Sequence, residues 1–253
     1  MAYNSYINSF PTSGDFETYI ESSAAKAPNV AYLKDTDKVV YTTILPNDYV
    51  VYGTTTGTTD FVSCGINFHV LDGIMYVAAS DVPQSLTNLN NCFNSTEGRK
   101  ITKIKKWAID TSNVNSIRYM FSNCSNLTSL DLSTFDTANV TSIEEIFYGC
   151  GNLTSLDLST FDTTKVTNMN YMFFNCSQLN KLYLSSSFFN STSVTSYPLE
   201  LSAWTDAASL EQFVQAAENS NGSGKTLKLS TNTKNALTQA QKDRITAVGW
   251  TIS

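Results

Sequence analysis

Leu127-Thr-Ser-Leu-Asp-Leu-Ser-Thr-Phe-Asp-Thr137 returns unchanged as Leu153-Thr-Ser-Leu-Asp-Leu-Ser-Thr-Phe-Asp-Thr163, 26 residues further on. The same step relates Phe121, Phe147 and Phe173, then Cys124, Cys150 and Cys176, then Leu127, Leu153 and Leu179, and Asp110, Asp136 and Asp162. Each unit reads L-x-x-L-x-L, then F-D-T, V, a short apolar pattern and F-x-x-C. A leucine period in the range of about 20–29 residues is the signature of a stacked solenoid. One unit cannot bury its own apolar face, so its neighbours must do it. A chain built this way is expected to be a binding surface or a scaffold.

Working outward from that run, complete units are counted at 101–126, 127–152 and 153–178. A fourth begins at 179 and carries a two-residue insertion before Val194, while an incomplete unit, Leu86–Cys92, leads in. Within a unit, Leu130 and Leu132 are two apart and share a strand face. Val140, Ile143, Ile146, Phe147 and Cys150 recur at helical spacing and predict a short helix ended by Gly149 and Gly151. Asp136 and Thr137 stand where a cap or turn is wanted.

The flanks differ in texture. Val30–Leu33 and Val39–Tyr41 around the polar run Lys34–Lys38 predict a β-hairpin. Short strands are expected at Asp48–Tyr52, Phe61–Val62, Asn67–Leu71 and Ile74–Ala78, and a short helix around Asp15–Ala25. Beyond residue 203, Asp206–Glu218 and Thr238–Val248 read as helices, and Thr226–Ser230 and Trp250–Ser253 as strands. The expected fold is therefore α+β: a small β-rich module for attachment or oligomerisation (1–80), a leucine-rich-repeat-type solenoid (81–203) and an α/β capping unit (204–253). The abrupt change of texture suggests that the part from about Val82 onward folds independently.

Sixteen basic against 22 acidic residues give a net charge of −6. That balance argues against general nucleic-acid binding, which needs basic patches to displace counterions. No run approaches the ~18 apolar residues of a membrane span, so no membrane insertion is expected. The start, Met1-Ala2-Tyr3-Asn4-Ser5-Tyr6, lacks the basic and apolar regions of an export signal. Synthesis in the cytoplasm without secretory export is expected, and the N-x-S/T matches are expected to carry no glycan.

The five cysteines include no C-x-x-C pair of the kind that metal sites favour. Cys124, Cys150 and Cys176 read as buried thiols in line, and Cys92 fits the same position after an insertion; Cys64 has no assigned place. His69 is the only histidine, and no nucleophile motif accompanies it, so a structural or surface role is expected rather than Ser-His-Asp hydrolysis. No phosphate loop, metal constellation or cofactor motif is found, and a non-enzymatic protein is expected.

Candidate binding residues lie on the repeats. In Arg99-Lys100-Ile-Thr-Lys103-Ile-Lys105-Lys106-Trp107, an extended strand would point Lys103, Lys105 and Trp107 to one side. A cationic face with an aromatic suits an acidic glycan or another anionic partner; the competing reading is a solvated edge strand guarded by lysines. Asp131 and Asp157 would stack in one column, able to hold a cation weakly or simply solvated. Tyr183 is grouped with them.

D-T-S-N-V (110–114), Y-M-F-S-N-C-S-N-L-T-S-L-D-L-S-T-F-D-T (119–137) and Y-M-F-F-N-C (171–176) resemble the BspA-like leucine-rich repeat family, over about residues 82–200. K-T-L-K-L-S (225–230), A-L-T-Q-A-Q (236–241) and G-W-T-I (249–252) are similar to the tail that often closes such arrays. The resemblance implies a solenoid used in adhesion at a bacterial surface; related arrays occur in virion proteins of phages infecting gut bacteria. P-N-V-A-Y-L-K-D-T-D-K-V-V-Y (28–41) resembles openings of tail and fibre proteins of such phages. With no export signal in view, the expectation is a structural virion protein of a phage, of tail or head fibre type. It would be a homo-oligomer held to other virion proteins by its N-terminal module and binding a host glycan or surface protein through its repeats. A bacterial cell-surface adhesin and a virion connector without receptor role are the alternatives.

Overall fold

The computed structural model describes the backbone of residues 7–9, 30–35, 38–44, 49–71, 73–78, 82–83, 85–104, 109–199, 201 and 204–253. The helix expected at Asp15–Ala25 lies outside the described residues. Three strands, β1 (Ile7–Ser9), β2 (Val30–Asp35) and β3 (Lys38–Ile44), form an antiparallel sheet in the order β1-β3-β2. β2 and β3 are the hairpin read from the sequence, with Asp35 opposite Lys38.

A second sheet has six strands. It comprises β4 (Tyr49–Thr55), β5 (Phe61–Ser63), β6 (Ile66–Leu71), β7 (Ile74–Ala78), β8 (Ile101–Ile104) and β9 (Ser129–Leu130), in the order β5-β6-β7-β4-β8-β9. All pairs are antiparallel except β8–β9, which is parallel. This sheet runs straight across residue 80, because β4 hydrogen-bonds to β8 with Gly53 opposite Ile104. Gly53 is required there: a Cβ would overlap the Lys103 carbonyl oxygen, so only glycine allows the two backbones to approach.

β10 (Ser155–Leu158) and β11 (Lys181–Leu184) form a separate parallel pair, with Leu156 opposite Leu182. β12 (Ser196–Leu199), β13 (Thr226–Leu229) and β14 (Thr251–Ile252) form a parallel sheet in the order β12-β13-β14. The helices among the described residues are α1 (Ala207–Glu218), α2 (Thr231–Ala236), α3 (Gln239–Ala247) and a 3-10 turn at Gly98–Lys100. Each α-helix has its N-cap: Asp206, Ser230 and Thr238 accept the backbone N–H of Ser209, Thr233 and Gln241, as short polar caps do.

These elements correct the expected fold. The described residues form a strand-rich arrangement of four separate sheets of mixed pairing with few helices, not an α+β leucine-rich-repeat solenoid. The strand column expected to run through the repeats is divided: β9 belongs with the N-terminal strands, β10 with β11. The predicted helix in each unit is absent as well, and residues 144–149 form successive turns.

The hydrogen bonds give the physical reason. An α-helix would spend each N–H on its own carbonyl four residues back. Here alternate N–H groups go sideways, from Ile143, Glu145, Phe147 and Gly149 to the carbonyls of Asn168, Asn170, Met172 and Phe174, at 2.9–3.2 Å. The residues between them turn back on their own chain: Ile146, Tyr148 and Cys150 donate to Ile143, Glu145 and Phe147. Ile117, Tyr119, Phe121 and Asn123 donate in the same way to Ser142, Glu144, Ile146 and Tyr148. The turns need left-handed backbone, at Tyr119 (φ 60°), Asn123 (φ 61°), Glu145 (φ 52°), Gly149 (φ 71°), Tyr171 (φ 57°) and Asn175 (φ 60°). A spacing of three and four residues puts apolar groups on one side in either geometry, so the pattern alone does not separate them.

The core follows the repeat. Phe93, Phe121, Phe147 and Phe173 stack in line with centroids 5.3–5.9 Å apart, and Phe68 of β6 continues the line at 5.3 Å from Phe93. Leu130, Leu156 and Leu182 are buried, as are Leu132, Leu158 and Leu184. Burying each such side chain contributes about 1.5–3 kcal/mol. At the C-terminal end the line gives way to a cluster of Phe189, Tyr197, Phe213 and Trp250. Lys225 closes the cluster, donating to the carbonyls of Phe189 and Ser191 at 3.0 and 2.9 Å.

Candidate functional site

The turn half of each unit carries side chains outward as well as inward. At the left-handed positions 119, 145 and 171 stand Tyr, Glu and Tyr, and three residues on stand Ser122, Tyr148 and Phe174. Tyr148 stacks on Phe174 at 5.5 Å, and Tyr171 meets Phe174 edge-on at 5.9 Å and 90°. These rings are not core: Tyr171 is 56% exposed and Phe174 41%.

An open groove of about 170 Å³ lies beside them, lined by Asn170, Tyr171, Phe174, Ser196, Pro198 and Lys228. The last complete unit provides one wall. β12 and β13 provide the other, where Pro198 and Lys228 sit opposite each other in register. Glu145 adjoins this wall, since its N–H donates to the Asn170 carbonyl at 2.9 Å. Desolvation and the neighbouring Glu144 push the Glu145 carboxyl up, against the pull of Arg118. Arg118 itself pairs with Glu144 at 2.5 Å. The groove thus offers two aromatic rings, an amide, a hydroxyl and an ammonium, the mix of apolar and polar groups found in ligand-binding clefts.

The backbone adds a second observation. Left-handed φ is cheap for glycine and tolerated by asparagine, but costs other residues roughly 1–2 kcal/mol. Asn123, Gly149 and Asn175 obey that rule; Tyr119, Glu145 and Tyr171 do not. Strained positions of this sort gather where function constrains the side chain.

The described residues among those singled out from sequence do not line this groove. Lys103 lies in β8 between β4 and β9, opposite Thr54 and Ser129, so it occupies an interior strand of its sheet. Lys105 and Trp107 lie outside the described residues. Asp131 and Asp157 each accept the backbone N–H two residues on, of Ser133 and Ser159, at 2.9 and 2.8 Å. Asp110, Asp136 and Asp162 do the same for Ser112, Ala138 and Thr164. These carboxylates close turns. Tyr183 stands opposite Asp157, with the Lys181 ammonium 5.5 Å from its ring and 3.4 Å from Asp206. The structure therefore brings Asp157 and Tyr183 together, apart from the groove. His69 contacts Asp60 at 3.0 Å on the β5–β6 hairpin. Among the described residues, no three of His, Cys, Asp and Glu gather as a metal would need, and no helix is long and apolar enough to cross a membrane.

Sequence reasoning missed Tyr171 and Phe174. The available signal was their place in Y-M-F-F-N-C, where Met172 and Phe173 already fill the core positions and leave two aromatics over.

No curated protein and no solved structure matches the chain. A family model described as "Mycoplasma protein of unknown function, DUF285" matches residues 87–215, slightly more than half of the chain, and the chain belongs to that family.

Proposed function

We propose that the protein is a non-enzymatic, surface-type binding protein whose Tyr171–Phe174 groove holds a carbohydrate chain of its partner. The observation that carries this reading is the pair of exposed rings at 90°, one of them on a left-handed backbone, beside Asn170, Ser196 and Lys228. Aromatic faces stack on the C–H faces of sugars, and the amide, hydroxyl and ammonium hydrogen-bond their hydroxyls. The similarity to BspA-like surface proteins supports a place at a bacterial surface. In this reading the N-terminal strands attach the protein, as a homo-oligomer, and the groove faces away.

The sequence 28–41 favours a second reading, the same binding protein carried on a phage particle. Mass spectrometry of peptides shaved from intact cells, against that of purified particles, separates the two. The groove is tested by saturation-transfer NMR with chitotetraose and mannan oligosaccharides as probes. Transfer that disappears in Tyr171→Ala is expected. Absence of transfer from either probe, or transfer indifferent to Tyr171→Ala, counts against the carbohydrate reading.

A further inference from the structure

Cys64 is the cysteine that the repeat does not absorb, and it stands at a joint. It forms with Gly65 the two-residue turn of the β5–β6 hairpin, both at positive φ (52° and 78°), as such tight hairpins require. That turn rests on the incomplete lead-in unit, Leu86–Cys92. The Ser63 hydroxyl donates to the Cys92 carbonyl and the Cys64 thiol reaches the Asn90 carbonyl at 3.4 Å, so the turn lies against residues 90–92 and the two thiols are close enough to perturb each other. Cys64 is half-buried, whereas Cys92 is buried. All five thiols are free.

We propose that Cys64 and Cys92 are a modification site, a dithiol that a small disulfide converts into an intramolecular bond pinning the hairpin to the repeats. In the first step the Cys64 thiolate attacks one sulfur of the small disulfide R–S–S–R. A Cys64–S–S–R bond forms, and one R–S⁻ leaves and takes up a proton. In the second step the Cys92 sulfur, having lost its proton to solvent, attacks the Cys64 sulfur and expels the second R–S⁻. The two cysteines lose two electrons and two protons, and the small disulfide becomes two thiols.

The order of attack follows from the surroundings. The neighbouring Cys92 lowers the Cys64 thiol, while burial pushes Cys92 well up. Cys64 is therefore the nucleophile toward the external reagent and Cys92 the slow resolving thiol. Cys124, Cys150 and Cys176 are passed over, because each is buried and directed at a phenylalanine carbonyl, of Phe93, Phe121 and Phe147.

The test is to incubate the reduced, folded full chain with oxidised glutathione and map its peptides without reduction. A transient glutathione adduct on Cys64 is expected, then a Cys64–Cys92 linked peptide lacking two hydrogen atoms, reversed by dithiothreitol. The oxidised protein should melt higher than the reduced one, and Cys64→Ser should lose both the link and the shift. A glutathione adduct that persists on Cys64, an unreactive Cys64, a Cys64–Cys64 dimer, or a Cys92 link formed only after denaturation would each overturn the assignment.

Discussion

Thr137 and Asp162, 25 residues apart, are tied by a reciprocal pair of hydrogen bonds. The Asp162 backbone N–H donates to Thr137 Oγ1 at 2.8 Å, and that hydroxyl donates back to the Asp162 carbonyl at 3.1 Å. Thr111 accepts the Asp136 N–H in the same way, and Thr163 passes its proton to the Phe188 carbonyl at 2.7 Å. The F-D-T motif is thus a lock between consecutive units. Asp folds its own turn, and Thr holds the next one.

Thr137→Val removes the hydroxyl while keeping the shape, and leaves an Asp162 N–H and carbonyl without their buried partner. A loss of about 1–3 kcal/mol is expected, read as the shift of the urea midpoint. Thr137→Ser should recover most of it. If Val and Ser behave alike, packing of the methyl group and not the hydroxyl holds the units together.

Leu156 tests the apolar side of the same unit. It is buried in β10 opposite Leu182, and Leu156→Ala should cost about 2–5 kcal/mol. Thr128→Ala removes an exposed hydroxyl bonded to the Thr102 carbonyl and should stay within about 0.5 kcal/mol. Equal effects of the two substitutions in thermal melts would contradict the burial described.

How much of this was legible follows from the kind of interaction. The 26-residue step, the inward leucines and the thiol line could be read because core side chains repeat when the backbone does. The turn half could not, because Val140, Ile143, Ile146 and Phe147 satisfy a helix and a string of turns equally. What decides between them is where the N–H of Glu145 goes, and its partner is Asn170 of another unit. The groove was hidden for a related reason. Its second wall, Ser196, Pro198 and Lys228, comes from strands that no periodicity connects to Tyr171.

Burial pushes the thiols of Cys124 and Cys176 up to about 12, from an ordinary value of 9.0. Between those values the unfolded chain releases thiol protons that the folded chain retains. Ionisation then favours the unfolded state, so stability present below pH 9.0 falls as pH rises toward about 12. Native labelling with a thiol reagent at pH 8 should be slow at Cys124, Cys150 and Cys176 and fast after unfolding. Fast native labelling at any of the three would contradict their burial.

Tyr171 should trade stability for binding. Asparagine occupies left-handed backbone more readily than tyrosine, as it does at Asn175, and Tyr171→Asn should stabilise the fold by about 1 kcal/mol. The same change removes an exposed ring from the groove and should abolish oligosaccharide binding. A higher melting temperature with binding lost is the expected pair of results. A variant that binds as well as the parent would remove Tyr171 from the site.

The joint between the N-terminal strands and the repeats decides whether the two can be studied apart. From sequence, a fragment starting near Val82 is expected to fold alone. The structure gives that fragment two defects. β8 loses its hydrogen-bonded neighbour β4, and Phe93 loses the Phe68 ring 5.3 Å away. An uncovered strand edge pairs with other chains, so the fragment should self-associate for reasons unrelated to attachment. A point change in the whole chain is a cleaner probe. Gly53→Ala drives a methyl group into the Lys103 carbonyl and should destabilise by about 1–3 kcal/mol, with hydrogen exchange rising first at Ile101–Ile104. If instead Gly53→Ala leaves exchange in β8 unchanged, the two parts are not coupled through this sheet, and the Val82 fragment becomes a fair test of which half attaches and which half binds.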